Sequence, residues 1–263
     1  MSELFLNPLP GLSVYGCWFG PASGGAGKPV VVLLHEGLGC TAMWKDFPRL
    51  LHEATGLSVF SYDRPGYGRS GELPGGFGEG FLEREADRHL PAILAEAGIS
   101  GPVILIGHSD GATTALMAAA NRELSVAGVV CMAPHVIIEE ISVAGLLLTR
   151  SLALNTDFVV KLSRYHGPGT QQLVTGWLDA WLSPWARHWQ MDRYLIHIQC
   201  PVLFLQGVDD HFGSEAQANH IRSLLESNMR VVMIPDCGHI PHLQAKEVVL
   251  DEIRAFTLQL GIG

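Results

Sequence analysis

The sequence predicts an α/β protein built on a mostly parallel, doubly wound sheet, and three observations predict it. Short runs rich in Val, Ile and Leu alternate with helix-like stretches over most of the chain, the pattern of strands joined by crossover helices. Those runs are apolar at successive positions rather than at every second one, as in strands covered by helices on both faces. The regularity fails once, between Ala133 and Gln199, where about sixty residues of different texture stand in place of a single helix and read as an insertion.

Taken in order, residues 12–19 read as an edge strand or hairpin arm that ends in a Gly-rich turn at 21–27. Strands are expected at 30–34, 57–62, 102–106, 128–132, 202–205 and 231–234, and helices at 44–54, 81–97, 111–123, 214–227 and 246–258. The fourth helix opens on Ser214 with Gln217 three places on, a capping-box spacing. Within the insertion Trp177, Trp181, Trp185 and Trp189 recur every fourth residue, with Leu178 and Leu182 beside them and Pro184 interrupting the register. Such a stripe on one helix face ordinarily packs, yet four of the chain's 6 Trp in one short segment also suit an aromatic pocket roof.

Composition narrows the function. A chain of 263 residues, 48 % hydrophobic and 16 % charged, can bury a full core in one large domain without disulfides or a structural metal. With 17 Lys+Arg against 26 Asp+Glu and no basic run of five, the net charge of -9 argues against nucleic acid as a partner. The first basic residue is Lys28, so the start lacks the charged region of a secretory signal, and no apolar run reaches the length of a membrane span. The expectation is a cytoplasmic protein with a small-molecule substrate, no membrane partner and room for homo-oligomer formation. Its 5 cysteines form an odd set without C-x-x-C spacing and are expected as buried free thiols. Of the 12 His, none falls in H-E-x-x-H, and the His239/His242 pair has no neighbouring ligand set, so neither metal nor cofactor is expected.

The chemistry lies in Gly107-His108-Ser109-Asp110-Gly111, between a predicted strand and an Ala-rich helix. A Ser on so sharp a turn presents its hydroxyl outward, and the flanking glycines let strand and helix approach. The hydroxyl becomes a nucleophile only with a base in reach and a carboxylate to hold that base's tautomer. Asp209 and Asp210 follow the strand at 202–205, and Asp236 and His239 follow the strand at 231–234, all on the C-terminal side of a parallel sheet where such sites form. The residue after the nucleophile, Asp110, supplies one backbone N–H to an oxyanion.

Four segments, LLHEGLG (33–39), YDRPGYGRSG (62–71), GHSDG (107–111) and the late pair QGVDD with PDCGH, resemble the α/β-hydrolase superfamily over nearly the whole chain. The resemblance implies the α/β-hydrolase fold, with a core of 1–133 and 196–263 and a helical cap at 134–195. It assigns Ser109 as nucleophile, His239 as base, Asp210 as the acid, and Gly37 as the second oxyanion donor. Where the family often has His-Gly-x, this chain has His35-Glu36-Gly37. Glu36 is therefore expected to turn away from the oxyanion and pair with a cation, Arg64 first. Glu36, His135, Tyr165, Trp181 and Trp185 are the candidate substrate contacts. The implied activity is serine hydrolysis of a small to medium, partly hydrophobic carboxylic ester. Thioesterase, lactonase and C–C hydrolase chemistry would use the same residues, and a non-catalytic ligand-binding protein is the reading of another class. Turnover that dies in Ser109→Ala, against binding that survives it, separates the last from the rest.

Overall fold

The computed structural model describes residues 1–22, 27–225 and 229–262. Eight strands form one sheet in the order β1-β2-β4-β3-β5-β6-β7-β8: β1 (Ser2–Leu9), β2 (Leu12–Phe19), β3 (Val30–Leu34), β4 (Val59–Tyr62), β5 (Val103–His108), β6 (Val126–Met132), β7 (Val202–Gly207) and β8 (Met229–Ile234). β1 and β2 form an antiparallel hairpin, β2 runs antiparallel to β4, and every pairing from β4 onward is parallel. The hairpin's first strand was absent from the expected elements. Parts of the turn at 21–27 and of the helix at 214–227 lie outside the described residues.

The apolar runs divide by parity. Val30, Val32 and Leu34 of β3 enter the core on one face, and Val31 and Leu33 enter the core on the other, because successive strand side chains point to opposite sides. Helices α1 (Phe47–Thr55) and, at the far end of the chain, the last helix (Lys246–Gln259) cover the second face with Phe47, Leu51, Val249, Ile253 and Phe256. The first face is covered by α2 (Phe81–Arg84), which continues through a π-helical turn (Glu85–His89) into α3 (Leu90–Glu96), and by α4 (Asp110–Ala119).

Between β6 and β7 lie α5 (Glu140–Asn155), α6 (Phe158–His166), α7 (Thr170–Trp181) and α8 (Asp192–Leu195). Only Trp177 and Trp181 of the expected stripe are on α7; the chain turns before Pro184, and Trp185 and Trp189 fold back so that each ring packs on Trp181, at 6.1 and 5.3 Å between centroids. Helix α9 (Glu215–Leu224) follows β7, and α10 (Pro241–Gln244) and α11, the Lys246–Gln259 helix, follow β8.

The capping box at α9 is half formed. Ser214 Oγ accepts from the Ala216 N–H, but Gln217 leaves its cap role: its Oε1 accepts from the Val136 N–H at 2.8 Å and its amide donates to Glu139 at 2.7 Å, tying α9 to the start of the inserted segment. The described cysteines are free thiols, with Cys17, Cys40, Cys131 and Cys237 buried. Among the described residues no single helix is long and apolar enough to cross a membrane.

Candidate active site

The strand β5 runs directly into Ser109, whose φ of 52° and ψ of -122° place a non-glycine residue in a strained left-handed turn. The glycines on either side are sterically required. A Cβ on Gly107 would overlap the Gly111 carbonyl, and one on Gly111 would overlap the Leu34 carbonyl. The turn is held from both sides: the Ser109 N–H donates to Met132 O at 2.9 Å, and Ser109 O accepts from Ala112 N–H at 2.8 Å.

His239, on the loop after β8, faces this serine. Its Nε2 lies 3.1 Å from Ser109 Oγ, and its Nδ1 lies 3.0 Å from both oxygens of Asp210, on the loop after β7. Asp210 is itself fixed by the Phe212 N–H at 2.8 Å and the Gln206 amide at 3.2 Å. Burial pushes its carboxyl up, but the His239 ring and the Phe212 N–H outweigh burial and hold it below the ordinary carboxylate value. Burial, with help from the neighbouring His108 and His135 and against the pull of Asp210, takes His239 down to about 4, so the imidazole is neutral near pH 7 and free to accept a proton. Asp209 and Asp236 are exposed and do not meet His239.

The N–H groups of Gly37 and Asp110 have no hydrogen-bond acceptor among the described residues. Asp110 opens α4, where unpaired backbone donors favour negative charge. Its own carboxylate is turned into the covering helix, where Oδ2 accepts from Trp177 Nε1 at 2.7 Å and from Trp181 Nε1 at 3.5 Å. Gly37 in turn lies so close beneath Trp177 that a Cβ there would overlap the indole.

The expected Glu36–Arg64 ion pair is not formed. The Glu36 carboxylate faces His108 instead, with Oε2 3.5 Å from Nδ1. His108 Nε2 donates to the His239 carbonyl at 2.7 Å, since a carbonyl only accepts. Burial raises the Glu36 pKa, but the contact and charge of His108, followed by His242 and His35, hold it far below the usual range. A Cβ on Gly39 would overlap this carboxyl group, so glycine there leaves it room. Arg64 reaches the same residue through the backbone, donating from Nη2 to Glu36 O at 2.9 Å. The reason for the difference is position: the guanidinium lies behind the loop, and the carboxylate projects toward β5.

Above Ser109 is a cavity of about 620 Å³. Leu146, Leu148 and Leu152 of α5, Phe158 of α6, and Trp177 and Trp181 of α7 form its apolar wall, and Glu36, His135, His211, Phe212, Asp209 and Asp236 add polar or aromatic surface. No lysine or arginine is among its described lining residues. Of the candidate substrate contacts, Glu36, His135 and Trp181 line it, whereas Tyr165 and Trp185 do not. Tyr165 is engaged elsewhere, its hydroxyl accepting from Lys45 Nζ at 2.6 Å. The leucines of α5 were not singled out from sequence, their only signal being an apolar run in the insertion, and Phe212, in the loop after β7 two residues beyond Asp210, was not singled out either.

A mostly parallel sheet with a strained serine at the end of the central strand β5, an Asp on the loop after β7 and a His on the loop after β8 is the architecture of an α/β hydrolase. Residues 31–252 match the family model described as the alpha/beta hydrolase family, and the chain belongs to that family. Among solved structures it is similar to a membrane phospholipase A that is a bacterial virulence factor (20 % identity, 100 % of this chain and 87 % of that one, TM-score 0.80). It is also similar to a thermophilic esterase from Thermogutta terrifontis (19 %, 99 % and 99 %, 0.73) and to the enol-lactonase from Burkholderia xenovorans LB400 (17 %, 98 % and 100 %, 0.73). At these identities the likeness is one of fold. No curated protein sequence matches the chain.

Proposed function

We propose that the protein hydrolyses uncharged, partly hydrophobic carboxylic esters of small to medium size through an acyl-enzyme on Ser109. The observation that carries this reading is the linear contact of Ser109 Oγ, His239 Nε2 and Asp210 through Nδ1, at 3.1 and 3.0 Å, at the floor of the cavity. His239 takes the hydroxyl proton as Oγ attacks the acyl carbon, Asp210 holds the imidazole tautomer, and the Gly37 and Asp110 N–H groups receive the oxyanion. The proton then passes to the leaving alcohol, and water activated by the same imidazole releases the acid. Residues 134–195 act as the cap that closes the cavity.

The charge of the cavity favours esters over the other substrates of this chemistry. A C–C hydrolase substrate that carries a carboxylate, or a thioester on a phosphate-bearing carrier, would enter beside Glu36, Asp209 and Asp236 without a cation to meet it. The similarity to an esterase and an enol-lactonase agrees with an acyl–oxygen bond as the target. A panel of neutral aryl and alkyl esters, matched thioesters and a dienone acid, run on wild type and Ser109→Ala, tests the reading. Neutral esters should rank first and turnover should vanish in the variant. Ester hydrolysis that persists in Ser109→Ala, or a dienone acid as the preferred substrate, would refute it.

A further inference from the structure

Arg64 is almost completely buried, yet no carboxylate lies within ion-pair distance of it among the described residues, and its Nε has no partner there. Its guanidinium rests 4.6 Å over the Tyr67 ring and sends Nη2 to a single acceptor, the carbonyl of Glu36. Isolated buried cations are costly, and a medium-sized apolar side chain would fill the same space without that cost. The carbonyl it contacts explains the arrangement.

Glu36 O belongs to the peptide unit whose N–H is that of Gly37. In a trans peptide the two groups point to opposite sides of one rigid plane, so donors on the oxygen fix the direction of the N–H and draw charge from it. Three donors converge on this oxygen: His35 Nδ1 at 2.8 Å, Arg64 Nη2 at 2.9 Å and the Gly39 N–H at 3.1 Å. The His35 tautomer is determined by Arg64 as well. The Arg64 backbone N–H donates to His35 Nε2 at 2.9 Å, which leaves the ring proton on Nδ1, where it reaches Glu36 O. Side chain and main chain of one residue thus hold the loop from behind.

We propose that Arg64 is a positioning residue for the oxyanion hole, orienting and polarising the Glu36–Gly37 peptide so that the Gly37 N–H meets the negative charge that develops on the substrate. Its charge serves the same end. The carboxylates of Asp110 and Glu36 flank the site, and the oxyanion adds a further negative charge; Arg64 is the permanent cation hydrogen-bonded to the loop that receives it. A charge-assisted bond relayed through one peptide unit acts on the transition state and leaves substrate binding nearly untouched.

The inference rests on the serine-hydrolase reading above, and its test uses Arg64→Gln, which keeps a donor and removes the charge, with Arg64→Lys as the milder variant. Rates are taken per active site, counted by stoichiometric reaction with a phosphonate, so partial misfolding does not enter. Arg64→Gln should lose about 10- to 100-fold in kcat, with KM within about threefold and the pH midpoint of kcat/KM unchanged, because His239 is untouched. A trifluoromethyl ketone, whose adduct with Ser109 carries an oxyanion, should weaken by about the factor lost from kcat/KM. Arg64→Lys should fall between wild type and Arg64→Gln, and it alone carries the comparison if the glutamine variant does not fold. Wild-type kcat and ketone affinity in the folded variants, accompanied only by a lower Tm, would overturn the proposal in favour of a packing role. A wild type inert to esters and to the phosphonate would instead overturn the hydrolase reading, and this inference with it.

Discussion

Acidification should weaken the fold well before it stops the chemistry. His239 and His242 are buried near the site, and burial, reinforced in both by His108, lowers them to about 4 and about 3 from 6.5. The folded state keeps both rings neutral while the unfolded chain binds protons near pH 6.5, so stability falls as pH drops through 6.5 and levels off only below the folded values. Moving from about pH 7.5 to about pH 5 therefore costs about 2 kcal/mol for each ring and about 4 kcal/mol together, a large share of a typical total of about 5–15. His35, His135 and His166 are lowered by burial too and add to the loss with the same sign. Asp210 and Glu36 do not oppose it in this window, since their lowered values preserve their contribution until the pH falls into the carboxylate range. Activity follows another curve. The base stays mostly neutral at about pH 5, so initial kcat/KM should remain within about twofold of its neutral value. Urea unfolding at the two pH values, beside initial rates in the same buffers, checks both halves. Stability that is flat or rising toward pH 5, or activity already halved near pH 6.5, would refute the reasoning. His242→Phe, which removes a ring packed 4.5 Å from Trp44 whose Nδ1 has no partner among the described residues, should reduce the loss by about half.

Trp177→Phe should cost about 1.5–3 kcal/mol in urea unfolding, because it removes the short donor to the buried Asp110 carboxylate, whereas Trp181→Phe, which removes the 3.5 Å contact, should cost under about 1 kcal/mol; equal losses would count against the ranking. Gly37→Ala should lower both Tm and kcat, with about 1–3 kcal/mol lost to overlap with the Trp177 indole, and wild-type behaviour would mean that the loop and α7 separate freely. Between two aryl esters of equal length, one ending in methyl and one in carboxylate, the anionic one should show at least about tenfold lower kcat/KM, equivalent to about 1.4 kcal/mol. Asp209→Lys should narrow that gap, and an equal preference in wild type would remove the charge argument for neutral esters.

The central sheet was legible because its strands are covered twice. A strand such as β3 must be apolar at both parities, and five consecutive buried residues announce it. The edge strand β1 carries no such signal: only Leu6 is buried, the other side chains face solvent or lie half-covered, and Pro8 interrupts the run. The capping box at Ser214 is only half formed, for a different reason. Gln217 has the right spacing for a local bond, but a longer-range donor at Val136 and acceptor at Glu139 satisfy its amide in a buried position, and a buried amide with several partners outweighs a bond that water could replace.

In the site, residues placed by the chain itself were legible and residues placed by neighbouring loops were not. Ser109, Asp210 and His239 each sit a fixed few residues beyond a strand end, so the sheet brings them to one edge. Whom Glu36 and Asp110 meet depends on how separate segments cross above that edge, and here periodicity says nothing. Sequence places two acids, Glu36 and Asp110, beside the oxyanion loop and predicts that Glu36 turns away toward a cation. In the structure each is satisfied by a distant segment, Glu36 by His108 and Asp110 by the indoles of α7, so their charge is drawn away from the Gly37 and Asp110 N–H groups. The N–H groups of Gly37 and Asp110, by contrast, have no acceptor among the described residues. An acidic residue can therefore occupy an oxyanion loop when its side chain and its peptide face opposite ways, and the partners that separate the two are what a variant series at this site should probe.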